Sequence, residues 1–309
     1  MVLPENVHFI IDVLRSAGND AYAVGGCVRD SLLGRTPEDW DITTSASPDE
    51  VKVLFKRTVD TGIEHGTVTV MIDKTGYEVT TYRVDGKYKD GRHPESVTFT
   101  RSLEEDLKRR DFTINAMAFN ENDGIVDLFD GRKDLEARLV RCVGDPRQRF
   151  GEDALRILRA VRFSAQLGFE IEEETAKAMG ELAGTLEKIS AERIRTELDK
   201  LLASDHPEKL MKAYELGITK VILPEFDEMM KVTPTGKHHI YPVGEHAIEA
   251  VKKISPQPDL LRWTMLLHDV GKPGTQTTGE DGESAYHGHG EAGAEIADRI
   301  LKRLKFDNH

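Results

Sequence analysis

Val24-Gly25-Gly26-Cys27-Val28-Arg29-Asp30, followed closely by Asp39-Trp40-Asp41, decides how this chain is read. A short apolar run enters a glycine pair and continues as a helical pattern, and two aspartates stand one residue apart just beyond. If Trp40 to Thr44 is a strand, Asp39 and Asp41 point to the same face. Like charges so placed repel unless a cation lies between them, and hard divalent ions, Mg²⁺ above all, prefer such oxygen ligands while leaving room for phosphates. Backbone N–H groups at a helix start favour anions, and Arg29 can pair with phosphate oxygens. The pattern points to a two-metal phosphoryl- or nucleotidyl-transfer site. The plain alternatives are a turn that merely needs positive φ and aspartates used as caps.

Outward from this stretch, Val7, Ile10, Ile11 and Leu14 predict a helix over 5–17, and Tyr22 to Val24 a strand. A short helix is expected over Val28 to Leu33. Ser47-Pro48-Asp49-Glu50 reads as a helix start with Ser47 as N-cap. Thr67 to Ile72 and Tyr77 to Arg83 read as a hairpin joined by Asp73-Lys74-Thr75-Gly76. Its second strand puts Glu78, Thr80 and Tyr82 on one face, which makes Glu78 a third carboxylate candidate. Residues 84–97 read as a mobile loop, Leu103 to Ala118 as a helix and Ile125 to Leu128 as a strand. Beyond about Leu135 strands all but vanish, and helices are expected over 152–168, 173–184, 191–203 and 207–216. A boundary between a mixed α+β head and an all-helical remainder is placed near 140–150.

The 309 residues suffice for two or three domains. No apolar run approaches the ~20 residues of a membrane span, and the N-terminus does not read as a signal peptide. The only cysteines, Cys27 and Cys142, leave no disulfide framework and fit a reducing cytoplasm. A net charge of −13 argues against diffuse attraction to nucleic acid but leaves room for a local basic stripe.

Two later clusters supply such cations. In Arg109-Arg110-Asp111-Phe112-Thr113-Ile114-Asn115-Ala116, Arg110 is a phosphate candidate with Asp111 and Asn115 orienting it or a ribose; a surface ion-pair network is the alternative. In Gly151-Glu152-Asp153-Ala154-Leu155-Arg156-Ile157-Leu158-Arg159-Ala160-Val161-Arg162, positions 153, 156, 159 and 162 form a stripe that winds slowly round a helix. Asp153 and Arg156 are either an i,i+3 surface pair or a base reader. A carboxylate only accepts and a guanidinium only donates. Together they match the amino donor and ring acceptors of cytosine or adenine, and they reject uracil and guanine by leaving polar groups unpaired.

In order along the chain, these motifs resemble class II tRNA nucleotidyltransferases, the CCA-adding enzymes, and the related bacterial poly(A) polymerases. They are Val24 to Asp30, Asp39-Trp40-Asp41, Glu78-Val79-Thr80-Thr81-Tyr82-Arg83, Asp90-Gly91-Arg92-His93, Arg109 to Ala116 and Glu152-Asp153-x-x-Arg156. The resemblance covers about residues 20–200. It implies a polymerase-β-like head (1–145), a helical neck that recognises the base (146–220) and a helical body (221–309). It further implies Mg²⁺ on Asp39 and Asp41 with Glu78 as third carboxylate, and nucleotide contacts from Gly25, Gly26, Arg29, Arg110, Asp153, Arg156, Arg159 and Arg162. Asp153 and Arg156 would template CTP and then ATP for addition to the tRNA 3′ end. Residues 84–97 match the flexible loop that relatives adding only C lack. Ser190-Ala191-Glu192-Arg193-Ile194-Arg195-x-Glu197-Leu198 matches the motif whose helix supports the site. The resemblance thus sets half of an active site at residues 25–41 and the other half in the helical region, across a cleft. Poly(A) addition or an A-adding specialist shares the same head.

Near the end, His246, then Leu266-Leu267-His268-Asp269-Val270-Gly271-Lys272-Pro273, then His287 and His289 resemble an HD phosphohydrolase domain. That makes His246, His268 and Asp269 a second candidate metal site. The further aspartate of the HD pattern has no evident position before His309, and a structural remnant fits as well. His238-His239 read as loop residues. The chain stops within this region, after a helix expected over Glu291 to Leu304, and is read as a fragment without a tRNA-binding tail. Oligomeric state is not legible. Rival readings are a metal-dependent phosphohydrolase and a non-catalytic RNA-binding module.

Overall fold

The computed structural model describes residues 1–86, 96–235, 241–254, 259–279 and 283–307. It falls into two compact units, Met1–Asp145 and Pro146–His309. Among the described residues no helix is long and apolar enough to cross a membrane.

The first unit opens with α1 (Glu5–Ser16), which buries the predicted Val7, Ile10, Ile11 and Leu14. Then come β1 (Ala21–Val24), α2 (Gly26–Leu32), β2 (Ile42–Thr44), α3 (Pro48–Leu54), β3 (Thr58–Gly62), β4 (Thr67–Ile72), β5 (Thr75–Thr81), β6 (Arg83–Asp85), β7 (Val97–Phe99), α4 (Leu103–Lys108), β8 (Met117–Asn120), β9 (Gly124–Asp127) and α5 (Gly131–Ala137). Seven strands form one mixed sheet in the order β3-β4-β5-β2-β1-β8-β9. β2 and β5 are parallel, with Ile42 opposite Val79. The predicted cap on α3 is a full capping box: Ser47 and Glu50 each accept the other's backbone N–H.

Four expectations shift. The strand expected from Trp40 begins at Ile42. Ile42, Thr43 and Thr44 are buried, whereas Asp39 and Asp41 face solvent, because a carboxylate without a partner is costly to bury. The Asp41 carbonyl still accepts the Val24 N–H at 3.0 Å, so the aspartate segment stays tied to β1. The hairpin turn is tighter than expected: Thr75 and Gly76 already pair with Ile72 and Met71. Only Asp73 (φ 46°) and Lys74 (φ 74°) make the turn. The helix expected over 103–118 divides into α4, a 3₁₀ turn at Thr113–Asn115 and β8. Met117 and Ala118 at its end are buried in β8, which pairs with β1 and β9 on its two sides; so short an apolar run does not distinguish strand from helix. Finally, the expected loop 84–97 is anchored by pairing of Val84 with Thr98 and Asp85 with Val97. Residues 87–95, with Asp90-Gly91-Arg92-His93, lie outside the described residues, as do His238-His239.

The second unit is helical: α6 (Pro146–Glu152), α7 (Leu155–Leu167), α8 (Glu173–Leu182), α9 (Ala191–Leu202), α10 (Leu210–Glu215), α11 (Thr219–Ile222), α12 (Pro224–Met230), α13 (Val243–Lys252), α14 (Asp259–Leu267), α15 (Lys272–Thr275) and α16 (His289–Arg303). The helix expected over 152–168 breaks at Asp153, whose carboxylate accepts the Leu155 N–H at 3.0 Å. Pro273 opens α15 rather than only ending the preceding helix. The Trp263 indole on α14 donates to Asp199 on α9 at 2.6 Å.

Two non-glycine residues in the left-handed region cost roughly 1–2 kcal/mol each in a two-residue hairpin turn, which favours Asn-Gly. Asp73→Asn with Lys74→Gly is expected to stabilise the protein by about 1 kcal/mol, read as a rise in the urea midpoint. An unchanged midpoint would show that this turn carries no strain.

Candidate active site

Gly25 is the first fixed point. Its φ of 81° and ψ of −128° suit glycine alone among the common residues. A Cβ there would lie 3.1 Å from Nη1 of Arg110. The Gly25 N–H is taken by the Met117 carbonyl at 3.1 Å. The donors available to a bound anion are therefore those of the first turn that Gly26 opens.

Arg29, on that helix, is buried. Its Nε and Nη2 donate to both oxygens of Asp30 at 2.9 and 3.0 Å, and Nη1 donates to Oδ1 of Asn115 at 2.6 Å. Asn115 in turn donates to Asp111 at 3.2 Å. Asn115 therefore orients Arg29, where Arg110 or a ribose was the expected partner.

Arg110 is positioned by a residue that sequence reasoning missed. Asp106, on α4, is fully buried. It accepts from Arg109 at 2.9 and 2.7 Å, from Arg110 at 3.5 Å, from the Thr43 hydroxyl at 3.1 Å and from the Arg83 N–H at 3.4 Å. Burial alone would raise its carboxyl, but Arg109 and Arg110 hold it below the usual range. The available signal was its i,i+3 and i,i+4 spacing to the two arginines.

Asp41 and Glu78 immediately precede Ile42 and Val79, the residues that face each other across the parallel β2–β5 pair. Asp41 and Glu78 keep exposed surface, but the protein around them displaces part of the water that would solvate their charge. That desolvation pushes the Asp41 carboxyl up, Arg110 opposes the shift, and Asp39 adds to it. Glu78 is raised by the same desolvation and then by Asp41 and Asp39. The three carboxylates thus feel one another, with Arg110 as the nearby cation. An acidic set of this kind fits a hard divalent ion, which relieves the mutual repulsion.

In the second unit, Asp153 accepts from Arg193 at 2.9 Å. Arg156 donates to Glu152 at 2.7 Å and to the Arg149 carbonyl at 3.0 Å. The two stripe residues are thus each held by a different partner. Arg162 is buried against Glu197 at 2.5 Å and lies 4.0 Å from the centre of the Phe163 ring. The Arg159 guanidinium is 5.5 Å from the same ring. Arg193 and Glu197 both come from α9, so the helix expected to support the site supplies the acid and base that hold α7.

Among the described residues, one group of three His, Cys, Asp or Glu side chains has ligand atoms all within 4.8 Å of one another: His246, His268 and Asp269. The head carboxylates are spaced more widely. Asp269 is buried, and its Oδ2 lies 3.1 Å from Nε2 of His268, 3.7 Å from Nε2 of His246 and 2.7 Å from Nζ of Lys272. Burial would raise the Asp269 carboxyl, but hydrogen bonds from His268 and Lys272 hold it well below the usual range. Imidazole nitrogens and a carboxylate are a suitable donor set for a divalent ion. His287 faces solvent.

Residues 21–141 match the Poly A polymerase head domain, 168–230 the "Probable RNA and SrmB- binding site of polymerase A", and 237–308 the HD domain. The chain is 57% identical over 198 residues to a CCA-adding enzyme of Lactiplantibacillus plantarum, a match spanning 64% of this chain and 49% of that protein. It is 55% identical over 272 residues to the CCA-adding enzyme of Levilactobacillus brevis, spanning 87% of this chain and 66% of the relative. The structure of the Bacillus stearothermophilus CCA-adding enzyme in complex with CTP superposes with a TM-score of 0.73 at 36% identity, over 98% of this chain and 70% of that one. The chain spans about half the length of several curated relatives that it matches.

The raised Asp41 and Glu78 carboxyls have a consequence for stability. A folded-state pKa above the unfolded one means that the charged form is disfavoured by folding, so stability falls as pH rises through the folded pKa. Asp41→Asn and Glu78→Gln are each expected to melt at a higher temperature than the parent at pH 7 without added metal. The difference should fade below about pH 4, where the parent carboxyls are protonated in both states. A lower melting temperature at pH 7 would mean that neighbouring donors already satisfy these carboxylates.

Proposed function

The chain belongs to the family of CCA-adding enzymes built on the Poly A polymerase head domain, and on that premise we propose that it adds C, C and A to the 3′ end of tRNA. It uses CTP and ATP and no nucleic-acid template. The convergence of Asp41, Glu78 and Arg110 beside the Gly25 turn carries this reading. The family is one of metal-dependent nucleotidyltransferases, and the ion proposed here is Mg²⁺, held by Asp39 and Asp41 with Glu78 as third carboxylate. Bound there, Mg²⁺ would supply charge neutralisation and activation of the attacking hydroxyl.

The protein's own part is positioning. The first turn opened by Gly25 and Gly26 faces the triphosphate, Arg110 pairs with its oxygens, and Arg29 braces the turn. The RNA 3′-oxygen bonds to the α-phosphorus, the bond from that phosphorus to the bridging oxygen breaks, pyrophosphate leaves, and the hydroxyl proton passes to solvent. In the neck, residues 146–220, Asp153 accepts from the amino group of cytosine or adenine while Arg156 donates to its ring acceptors. Arg159 and Arg162 complete the basic stripe. Residues 221–309 form the body. Two buried free thiols fit a reducing, cytoplasmic setting.

A second reading has its own observation, the His246, His268 and Asp269 cluster: metal-dependent hydrolysis of phosphoesters in the same chain. Hydrolysis of a 2′,3′-cyclic nucleotide or p-nitrophenyl phosphate is expected to be lost in His268→Ala and retained in Asp39→Ala. The opposite pattern would remove this reading.

Incubation with tRNA ending before CCA, with each NTP in turn, tests the first reading. Incorporation of C, C and A is expected. Runs of A alone would indicate a poly(A) polymerase, and a single A on tRNA already carrying CC, without C addition, an A-adding specialist. Asp39→Ala or Asp41→Ala should lower incorporation by at least about 10²-fold with the fold retained; full activity in either would remove the metal assignment. Asp153→Ala should cut discrimination against UTP and GTP by ~10²-fold, and unchanged selectivity would refute its role in base reading.

A further inference from the structure

Helix α9 (Ala191–Leu202) is held on two faces. Arg193 and Glu197, about one turn apart, hold Asp153 and Arg162. Arg195 and Asp199 are spaced alike but stand about 200° round the axis from that pair. This second face is gripped by residues of the HD-like region.

Two neighbours on α14 make the grip. Trp263 is buried, and its indole N–H donates to Oδ1 of Asp199 at 2.6 Å. Arg262 is buried as well. Its Nη1 donates to the carbonyl of Leu202, the last residue of α9, and to that of Ser204 at 3.1 Å; Nη2 donates to the Ile254 carbonyl at 3.2 Å. The last carbonyls of a helix have no partner within it, and the helix dipole favours a cation at that end. Among the described residues, every acceptor of Arg262 is a backbone carbonyl. A guanidinium buried without a carboxylate is costly, but its planar fork fixes the direction of each carbonyl it meets. An apolar side chain would fill the space without fixing the helix end.

The chain beyond α16 adds a third contact. Phe306 meets Trp263 edge to face, with ring centres 5.3 Å apart. The Arg195 guanidinium stands 5.0 Å from the centre of the same Phe306 ring and donates to the Lys305 carbonyl. A slide or rotation of α9 would move Arg193 and Glu197 together, because both stand on one helix.

We propose that Arg262 and Trp263 are positioning residues for nucleotide selection: they fix α9 so that Arg193 and Glu197 hold Asp153 and Arg162 in one geometry. This role rests on reading Asp153 as a base reader. The HD-like region then serves base choice through α9, independently of any chemistry of its own histidines.

The test measures kcat and KM of the full chain for CTP and for UTP on tRNA ending before CCA, with melting curves to confirm folding. An unfolded fraction lowers both rates equally, so the CTP-to-UTP ratio of kcat/KM reports geometry and not stability. Trp263→Phe, Arg262→Met and Asp199→Ala should each lower that ratio by ~10-fold. Asp199→Asn, which keeps an acceptor for the indole, should retain it. Glu225→Ala, which cuts the Arg303 bridge between α12 and α16, should retain it too. A parent ratio in Trp263→Phe and Arg262→Met, with a lowered ratio in Asp153→Ala, would overturn the positioning role and leave the base reader standing. A parent ratio in Asp153→Ala would overturn both. Hydrogen exchange at the Leu155 amide, which Asp153 holds, reads the same link without substrate. It should be ~10-fold faster in Trp263→Phe and Arg262→Met than in Glu225→Ala, and equal rates would overturn the link.

Discussion

The buried carboxylate of Asp106 is the interaction on which the head depends. It takes hydrogen bonds from Thr43 on β2, from the backbone of Arg83 at the start of β6, and from Arg109 and Arg110. A buried carboxylate is tolerable only when its lone pairs are filled, and here the donors come from three separate segments. The carboxylate therefore fixes Arg110 relative to β2, the strand that Asp41 leads into. Arg110 in turn reaches the Gly25 turn, where a side chain would meet its guanidinium. One buried charge links the Gly25 turn, the acidic face and the base of the 84–97 segment.

The second unit uses the same device twice. Arg193 holds Asp153 and Glu197 holds Arg162. Both holders lie on α9; Asp153 lies just before α7 and Arg162 within it. Long arginine side chains lose considerable rotamer entropy when they must keep one geometry. An acid on a neighbouring helix restricts them to one geometry, as Glu197 does for Arg162. Asp153 also accepts the N–H of Leu155, the first residue of α7, so its carboxylate is fixed by a backbone donor and a guanidinium together.

The HD-like region follows a related logic with a different donor set. Asp269 is buried with Lys272 and imidazole nitrogens around it, and two of those rings are anchored through Nδ1 to carbonyls one helical turn or less away. The head collects carboxylates whose charges repel one another, whereas this cluster collects nitrogen donors round a single carboxylate. The two donor sets therefore differ in hardness.

Much of this was legible locally. The glycine turn, the aspartate pair, the helix over Glu5–Ser16, the Ser47 cap and the His-Asp cluster each rest on residue types at short spacing, where side-chain chemistry and helical or strand period decide the outcome. The β8 segment was misread as helix because a strand buried on both faces has no alternation to betray it. Asp106, Arg193 and Glu197 passed unremarked because acids and bases within helices usually face water; only packing brought them to the arginines and the aspartate they hold. By itself the sequence determined that a mixed head precedes a helical remainder, and it nominated the residues proposed to carry the chemistry. Tertiary structure alone decided that Glu78 lies within reach of Asp41 and that Asn115 braces Arg29. Each depends on sheet register or on close backbone approach between segments far apart in the chain, and no local pattern encodes that distance.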